Sequence, residues 1–169
     1  MSIVVPMLNE ESNLGKLYNE LSSILKPAFS DYEIIFVDDG STDKSFDKIK
    51  EISSKDKGVL GISFSRNFGH QIALMAGLEN SSGEMVITMD ADLQHPPSLI
   101  PEMIELYRQG FDIVNTVRTE TEGIGSLKKI TSGLFYRLLN RISGICIKAG
   151  SADFRLMSRK SVDAFITLP

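Results

Sequence analysis

The chain has 169 residues, 42% hydrophobic and 24% charged, with a formal net charge of −4. That is about one domain's length with enough apolar content for a core, and it excludes a disordered tail, a collagen-like chain and a coiled coil. A single cysteine, Cys146, excludes an internal disulfide and a cysteine-built zinc site, two histidines argue against a His-rich metal centre, and the acidic balance excludes a general nucleic-acid binder.

In chain order, the apolar run at 3–6 predicts a strand. Residues 11–26 carry Leu14, Leu17, Leu21, Ile24 and Leu25 at a helical period. A buried-type strand is expected over 33–37, closed by Asp38-Asp39-Gly40. Ser41-Thr42-Asp43 is the predicted start of a helix with Phe46, Ile49 and Ile52 on its inner side. A third strand over 59–64 and a helix over 70–79 follow. A fourth strand over 85–89 ends at Asp90-Ala91-Asp92, Pro96-Pro97 opens a helix that runs to Arg108, and a fifth strand spans 111–117. This alternation predicts an α/β fold, a Rossmann-like sheet of mostly parallel strands flanked by helices. Ligands of such sheets sit outside the carboxyl ends of the strands. Those ends carry residues 6–11, Asp38-Asp39, Ser65-Arg66-Asn67, Asp90-Ala91-Asp92 and Arg118.

The charge is uneven. Up to Val117 there are 9 Lys+Arg against 18 Asp+Glu, and from Arg118 to Lys160 there are 9 against 3. The acidic half suits a cation, the basic half phosphate or a lipid surface, and solvated helix faces account for either. Residues 119–125 read as a loop. Leu127, Ile130, Leu134, Leu138, Ile142 and Ile145 then recur at helical spacing among Lys128, Lys129, Arg137 and Arg141. This basic amphipathic helix over 127–145 suits a membrane interface or ordinary packing on the sheet. No apolar run approaches the ~18 residues that span a bilayer, and no basic region precedes the first strand as in a signal peptide. The expectation is a soluble, cytoplasmic fragment of a longer protein, whose end at Leu168-Pro169 follows a helix.

Asp90 and Asp92, one residue apart beyond a buried strand, would repel in a dry cleft, and a divalent ion removes that cost. Oxygen ligands and few histidines point to Mg²⁺ or Mn²⁺, with Gln94 as a further oxygen and a diphosphate as the complement. An acidic turn is the plainer alternative. One carboxylate of Asp38-Asp39 suits a nucleobase or ribose, while Ser41 or Asp43 caps the next helix. No G-x-G-x-x-G follows the first strand and no G-x-x-x-x-G-K-[ST] occurs, which disfavours a dinucleotide oxidoreductase and excludes a P-loop enzyme. Arg66, Arg118 and Arg155 are candidates for phosphate contact or for surface ion pairs. His70 and His95 read as capping or supporting groups, and Cys146 as a small buried residue.

The segments Ile3-Val4-Val5-Pro6-Met7-Leu8-Asn9-Glu10-Glu11, Val37-Asp38-Asp39-Gly40-Ser41-Thr42-Asp43, Ser65-Arg66-Asn67-Phe68-Gly69-His70 and Asp90-Ala91-Asp92-Leu93-Gln94-His95-Pro96-Pro97 resemble family-2 glycosyltransferases of GT-A fold. With Asp153-Phe154-Arg155-Leu156-Met157-Ser158-Arg159 they look most like the polyprenyl-phosphate glycosyltransferases, the group of dolichol-phosphate mannose synthases and bactoprenol glucosyltransferases. The resemblance implies one catalytic domain over 1–169, with a nucleotide-sugar half over 1–117 and an acceptor and membrane-proximal half over 118–169. C-terminal transmembrane helices, usual in the bacterial members, are absent from these residues. It implies nucleotide contacts from Pro6, Leu8, Glu10, Val37, Asp39 and Arg66, with Leu8 standing where the family frequently has Tyr. It implies a metal and diphosphate site at Asp90, Ala91, Asp92 and Gln94. Arg118, Arg155 and, less closely, Lys160 match residues near the donor and acceptor phosphates, and Asp92, Asp153, Arg118 and Arg155 carry the reaction. Glu120 and Glu122 fill a loop that often bears a second basic residue.

The implied activity is metal-dependent, inverting transfer of a hexose from a UDP-glucose-like donor to a polyprenyl phosphate on the cytoplasmic membrane face. A saccharide acceptor, or a non-catalytic sugar-nucleotide binding module, are the alternatives. The sequence leaves the oligomeric state open, a homo-oligomer included.

Overall fold

The computed structural model describes residues 1–117 and 151–167. Arg118, the loop over 119–125, the basic helix over 127–145 and Cys146 lie outside the described residues. The elements are β1 (Ser2–Met7), α1 (Glu11–Ala28), β2 (Glu33–Asp38), α2 (Ser45–Lys55), β3 (Val59–Ser63), α3 (His70–Glu79), β4 (Met85–Thr88), a 3₁₀ turn (Pro97–Leu99) leading into α4 (Ile100–Arg108), β5 (Ile113–Val117), β6 (Ser151–Ser158) and α5 (Arg159–Ile166). Packing groups Met1–Val114 with Asp153–Pro169 as one compact unit and Asn115–Ala152 as another. All the site residues described below belong to the first.

The strand order is β3-β2-β1-β4-β6-β5. β1 runs parallel to β2, from Ser2↔Glu33 to Met7↔Asp38, and parallel to β4, from Ser2↔Val86 to Val4↔Thr88. All six residues of β1 are buried, as a central strand covered on both faces requires. β6 runs antiparallel to β4, from Met85↔Ser158 to Thr88↔Arg155. The expected mostly parallel sheet is present, and a strand that the hydrophobic pattern did not single out is inserted inside it.

The helices form because their apolar stripes have somewhere to go. On α1, Leu14, Leu17, Leu21 and Leu25 are all fully buried, each contributing about 1.5–3 kcal/mol relative to exposure. α2 starts at Ser45 rather than at Ser41, because residues 41–44 brace a neighbouring loop. The Ser41 hydroxyl accepts the Asn9 N–H (2.8 Å), and the Asn9 side-chain oxygen accepts the Thr42 N–H (2.9 Å). Asp43 then accepts the Ser45 N–H at 2.9 Å. α3 lies close on β1 and β2 because Gly77 has no side chain. A β-carbon there would fall inside contact distance of Val4 Cγ1 and 3.2 Å from Val37 Cγ2.

At the opposite end of the sheet from the strand exits, Asp56 ties three elements together. It accepts from Tyr18 (2.8 Å) and Tyr32 (2.7 Å), its other oxygen accepts the Gly58 N–H (2.9 Å), and Lys26 stands 3.0 Å away. Burial alone would raise the Asp56 carboxyl, but the Tyr32, Tyr18, Gly58 and Lys26 contacts outweigh it and hold the group well below the usual carboxylate range. The Tyr32 phenol is pushed up to about 12 by burial and by its bond to Asp56.

Two outcomes follow. Gly77→Ala overpacks the α3–β1 contact and is expected to cost about 1–3 kcal/mol, read as a fall of several degrees in Tm by circular dichroism; an unchanged Tm contradicts the close approach. The stability supplied by Asp56 is fully present above the unfolded carboxylate value of 3.8 and is lost as pH falls below it, because the folded group resists protonation. That supplied by Tyr32 is present below pH 10 and is lost as pH rises towards 12. Urea midpoints measured across pH should fall at both ends, and Asp56→Asn should flatten both slopes.

Candidate active site

β1 has β2 on one side and β4 on the other, so the chain reverses direction across the sheet there, and a crevice opens outside the carboxyl ends of these strands. A cleft of about 280 Å³ lies at that point. Pro6, Met7, Leu8 and Glu10 line it from the exit of β1, Asp39 from β2, Asn67, Gly69, His70 and Ala73 from the start of α3, and Asp90, Ala91 and Asp92 from β4.

The two carboxylates after β2 have separate tasks. Asp38 is 2% exposed and closes the turn: one oxygen accepts the Ser41 N–H (3.0 Å), the other the Ser63 hydroxyl (3.1 Å). Asp39 is 4% exposed and accepts the N–H groups of Phe68 (2.7 Å) and Gly69 (3.0 Å), one on each oxygen. This pins the β3–α3 loop across the end of β2. The loop passes so close that a β-carbon at residue 40 would sit 2.7 Å from the Asn67 nitrogen, and Gly40 has φ +76. Only glycine suits both demands.

The turn after β4 is tight. Leu93 has φ 62, and one Asp92 oxygen accepts the Gln94 N–H at 3.0 Å. Asp90 faces two imidazoles: Oδ1 is 3.8 Å from His70 Nε2 and Oδ2 is 3.7 Å from His95 Nδ1. His95 is buried and stacks on Phe154 at a ring separation of 5.6 Å.

Antiparallel β6 brings its first residues beside the last residues of β4. The Thr88 hydroxyl donates to the Asp153 carbonyl at 2.7 Å. One carboxylate oxygen of Asp153 accepts from Arg155 Nη2 at 2.6 Å, and the other is 3.6 Å from His70 Nε2. One ligand atom each from His70, Asp90 and Asp153 lies within 4.8 Å of the others, so one cation can reach all three.

Of the residues singled out from the sequence, Pro6, Leu8, Glu10, Asp39, Asp90, Ala91 and Asp92 share the cleft. Asp153 stands beside Asp90 through His70, and Arg155 pairs with Asp153. Val37 is fully buried in the core cluster with Val4 and Leu74 and does not line the cleft. Arg66 lies over the Phe68 ring, 4.7 Å from its centroid. Lys160 stands 3.9 Å from Asp112. Gln94 enters here through its backbone bond to Asp92. His70, read from the sequence as a supporting group, sits between the two carboxylates. Its signal in the sequence is its place after Gly69 at a helix start on the ligand-bearing rim. Asn67 and Gly69, from the Ser65–His70 segment picked out in the sequence, also line the cleft, although neither was assigned a role there.

The sequence model of Glycosyl transferase family 2 matches residues 2–165. An uncharacterized glycosyltransferase of Bacillus subtilis, YkcC, is 46% identical over 96% of this chain and 50% of its own length. The bactoprenol glucosyl transferase of Shigella phage SfV is 40% identical over 100% of this chain and 55% of its own. The chain thus spans about half the length of the curated relatives it matches. Glucosyl-3-phosphoglycerate synthase from Mycobacterium tuberculosis, solved with Mn²⁺ and UDP-glucose, has a TM-score of 0.63 at 22% identity, over 94% of this chain and 56% of that one. S. aureus TarS in complex with UDP has a TM-score of 0.59 at 23% identity, over 73% and 37%. At such identities the likeness shows the fold, the GT-A α/β fold expected from the sequence.

Asp39→Asn replaces one of two acceptors on the β3–α3 loop. Losing a hydrogen bond to a charged group costs about 1.5–3 kcal/mol. Amide exchange at Phe68 or Gly69 should therefore quicken by about 10–100-fold, read by NMR; unchanged protection at both contradicts the pinning.

Proposed function

The chain belongs to glycosyl transferase family 2, and on that premise we propose that it transfers a hexose from a UDP-glucose-like nucleotide sugar to a polyprenyl phosphate. The observation that carries this reading is the meeting, at one sheet edge, of a cleft lined by Asp39, Asp90 and Asp92 with the Asp153–Arg155 pair beside it. The phage relative named a bactoprenol glucosyl transferase, which matches the whole of this chain, supports the acceptor class. The UDP-glucose and Mn²⁺ held by a protein of the same fold support the donor class.

The donor set fits a divalent cation. Asp90 offers hard oxygen, is 30% exposed, and has imidazoles rather than fixed positive charges as its ion-pair neighbours among the described residues. Asp90 and Asp92, with Gln94 beside them, would hold Mg²⁺ or Mn²⁺, which when bound supplies neutralisation of charge on a leaving diphosphate. Asp39 and the β1 exit take the nucleoside end of the cleft. Arg155, already turned to an anionic partner in Asp153, gathers the acceptor phosphate, a proximity effect, and Arg118 joins it. A phosphate with second pKa near 6 is largely ionised at neutral pH, so the acceptor needs no strong base, and Asp153 orients it. The reaction inverts the anomeric centre. The basic segment over 127–145, amphipathic in its sequence, binds anionic lipid at the cytoplasmic face.

The test is label transfer from UDP-[¹⁴C]glucose to undecaprenyl phosphate in anionic vesicles with Mn²⁺. A labelled glycolipid is expected, and Asp92→Asn should lower kcat by about 100-fold, the scale of losing one charge-stabilising group in a transition state. Transfer only to a saccharide acceptor, or nucleotide-sugar binding without turnover, overturns the reading, as does near-normal activity of Asp92→Asn.

A further inference from the structure

We infer that Thr88 is a positioning residue of the candidate active site: its hydroxyl extends the β4–β6 pairing past the last rung and fixes Asp153, with the Arg155 paired to it, opposite Asp90. The inference rests on the functional reading above and deepens it by naming a residue that acts on the reaction through Asp153.

The register argues first. The pairing runs from Met85↔Ser158 to Thr88↔Arg155, one residue forward in β4 for each residue back in β6. Carried two steps on, it sets Asp153 opposite Asp90. Those steps lie beyond the end of β4 at Thr88, so the ladder alone does not reach residue 153. The Thr88 hydroxyl does, donating to the Asp153 carbonyl at 2.7 Å. Thr88 is 1% exposed, too buried to touch a substrate, and its β-branched side chain is stiff at χ1, which holds the donor in place.

The far end of the ladder keeps the register from slipping. Arg159 donates its backbone N–H to the Glu84 carbonyl at 2.8 Å. Its guanidinium grips the turn before β4, with Nε and Nη2 on the Gly83 carbonyl (3.0 and 2.8 Å) and Nη2 also on the Ser81 hydroxyl (3.0 Å). The Gly83 N–H in turn donates to the Ser2 hydroxyl of β1 at 2.8 Å. A slip of two residues, the smallest that keeps each side chain on its face of the sheet, would break the Arg159 contacts.

What is positioned is the acidic side of the cleft. One Asp153 oxygen accepts from Arg155 Nη2 at 2.6 Å, and ligand oxygens of Asp153 and Asp90 lie within 4.8 Å of each other. Two carboxylates that close repel, and a backbone left free at residue 153 would let them part. Thr88→Val keeps the shape of the side chain, removes the donor and leaves the Asp153 carbonyl without it.

The experiment pairs NMR of the isotope-labelled chain with transfer from UDP-[¹⁴C]glucose to undecaprenyl phosphate in anionic vesicles. A slowly exchanging Thr88 hydroxyl proton should be visible, and the Asp153 carbonyl carbon should move towards its unbonded position in Thr88→Val. That variant should lower kcat by about 10–100-fold, the scale of a misplaced reacting group, with KM for UDP-glucose unchanged because the nucleoside end of the cleft is untouched. Thr88→Ser, which keeps the hydroxyl, should restore most of kcat. Absence of the slow hydroxyl proton in the unsubstituted chain overturns the inference, even where Thr88→Val fails to fold. So does an unchanged kcat in Thr88→Val, a rise in KM alone, or a Thr88→Ser variant as slow as Thr88→Val. The NMR signs without glycolipid formation sink the proposed activity alone; glycolipid formation without them sinks the positioning role alone.

Discussion

Three carboxylates, Asp39, Asp90 and Asp153, stand around one edge of one sheet, and each is met by a different kind of partner. Ligand oxygens of Asp90 and Asp153 lie within 4.8 Å of each other, a separation at which two unit charges repel by about 3–4 kcal/mol at an effective dielectric of 20. Asp39 is met by two backbone N–H groups, Asp153 by the Arg155 guanidinium, and Asp90 by imidazoles on either side. Two of these pairings make a demand on the chain. The first requires the β3–α3 loop to cross residue 40, which must then be glycine. The second, Asp153 with Arg155, stands beside Asp90 only because β6 runs antiparallel to β4 and starts where β4 ends.

The sheet's topology and its chemistry are therefore one arrangement. The reversal of strand order at β1 opens the crevice, and the same reversal leaves β4 with a free side, which β6 occupies. Asp90 and Asp153 become neighbours across that pairing although 63 residues separate them in the sequence. The α3 helix covers the other approach, and its seating at Gly77 carries His70 to the rim.

Much of this was legible in the residues. Continuous apolar runs marked β1, β2 and β4 because both faces of these strands are covered, and the leucine stripe marked α1 because one face is buried. The start of α2 was not legible, since Ser41 and Thr42 are claimed by Asn9, 32 and 33 residues away, and no local pattern reports that. The alternation of half-buried Asp153 and Arg155 with buried Phe154 and Leu156 has a strand's period, yet nothing nearby says that the strand belongs inside the sheet. Val37 matched a nucleotide-contact position by resemblance, while packing beneath α3 takes its side chain into the core. His70 lacked any periodic signal, because its place depends on three elements meeting.

The insertion of β6 also sets an order of assembly. During synthesis β1 to β4 emerge and can pair in their parallel register while the outer side of β4 waits for residues 151–158. Until those leave the ribosome, Val86 and Ile87 flank an unpaired edge, the kind of surface on which nascent chains stick to one another. The cleft residues on β1, β2 and β4 are in place early, and Asp153 and Arg155 arrive last. A nascent chain released before residue 158 would thus carry part of the cleft's surroundings and an open strand, a species that chaperones would meet first.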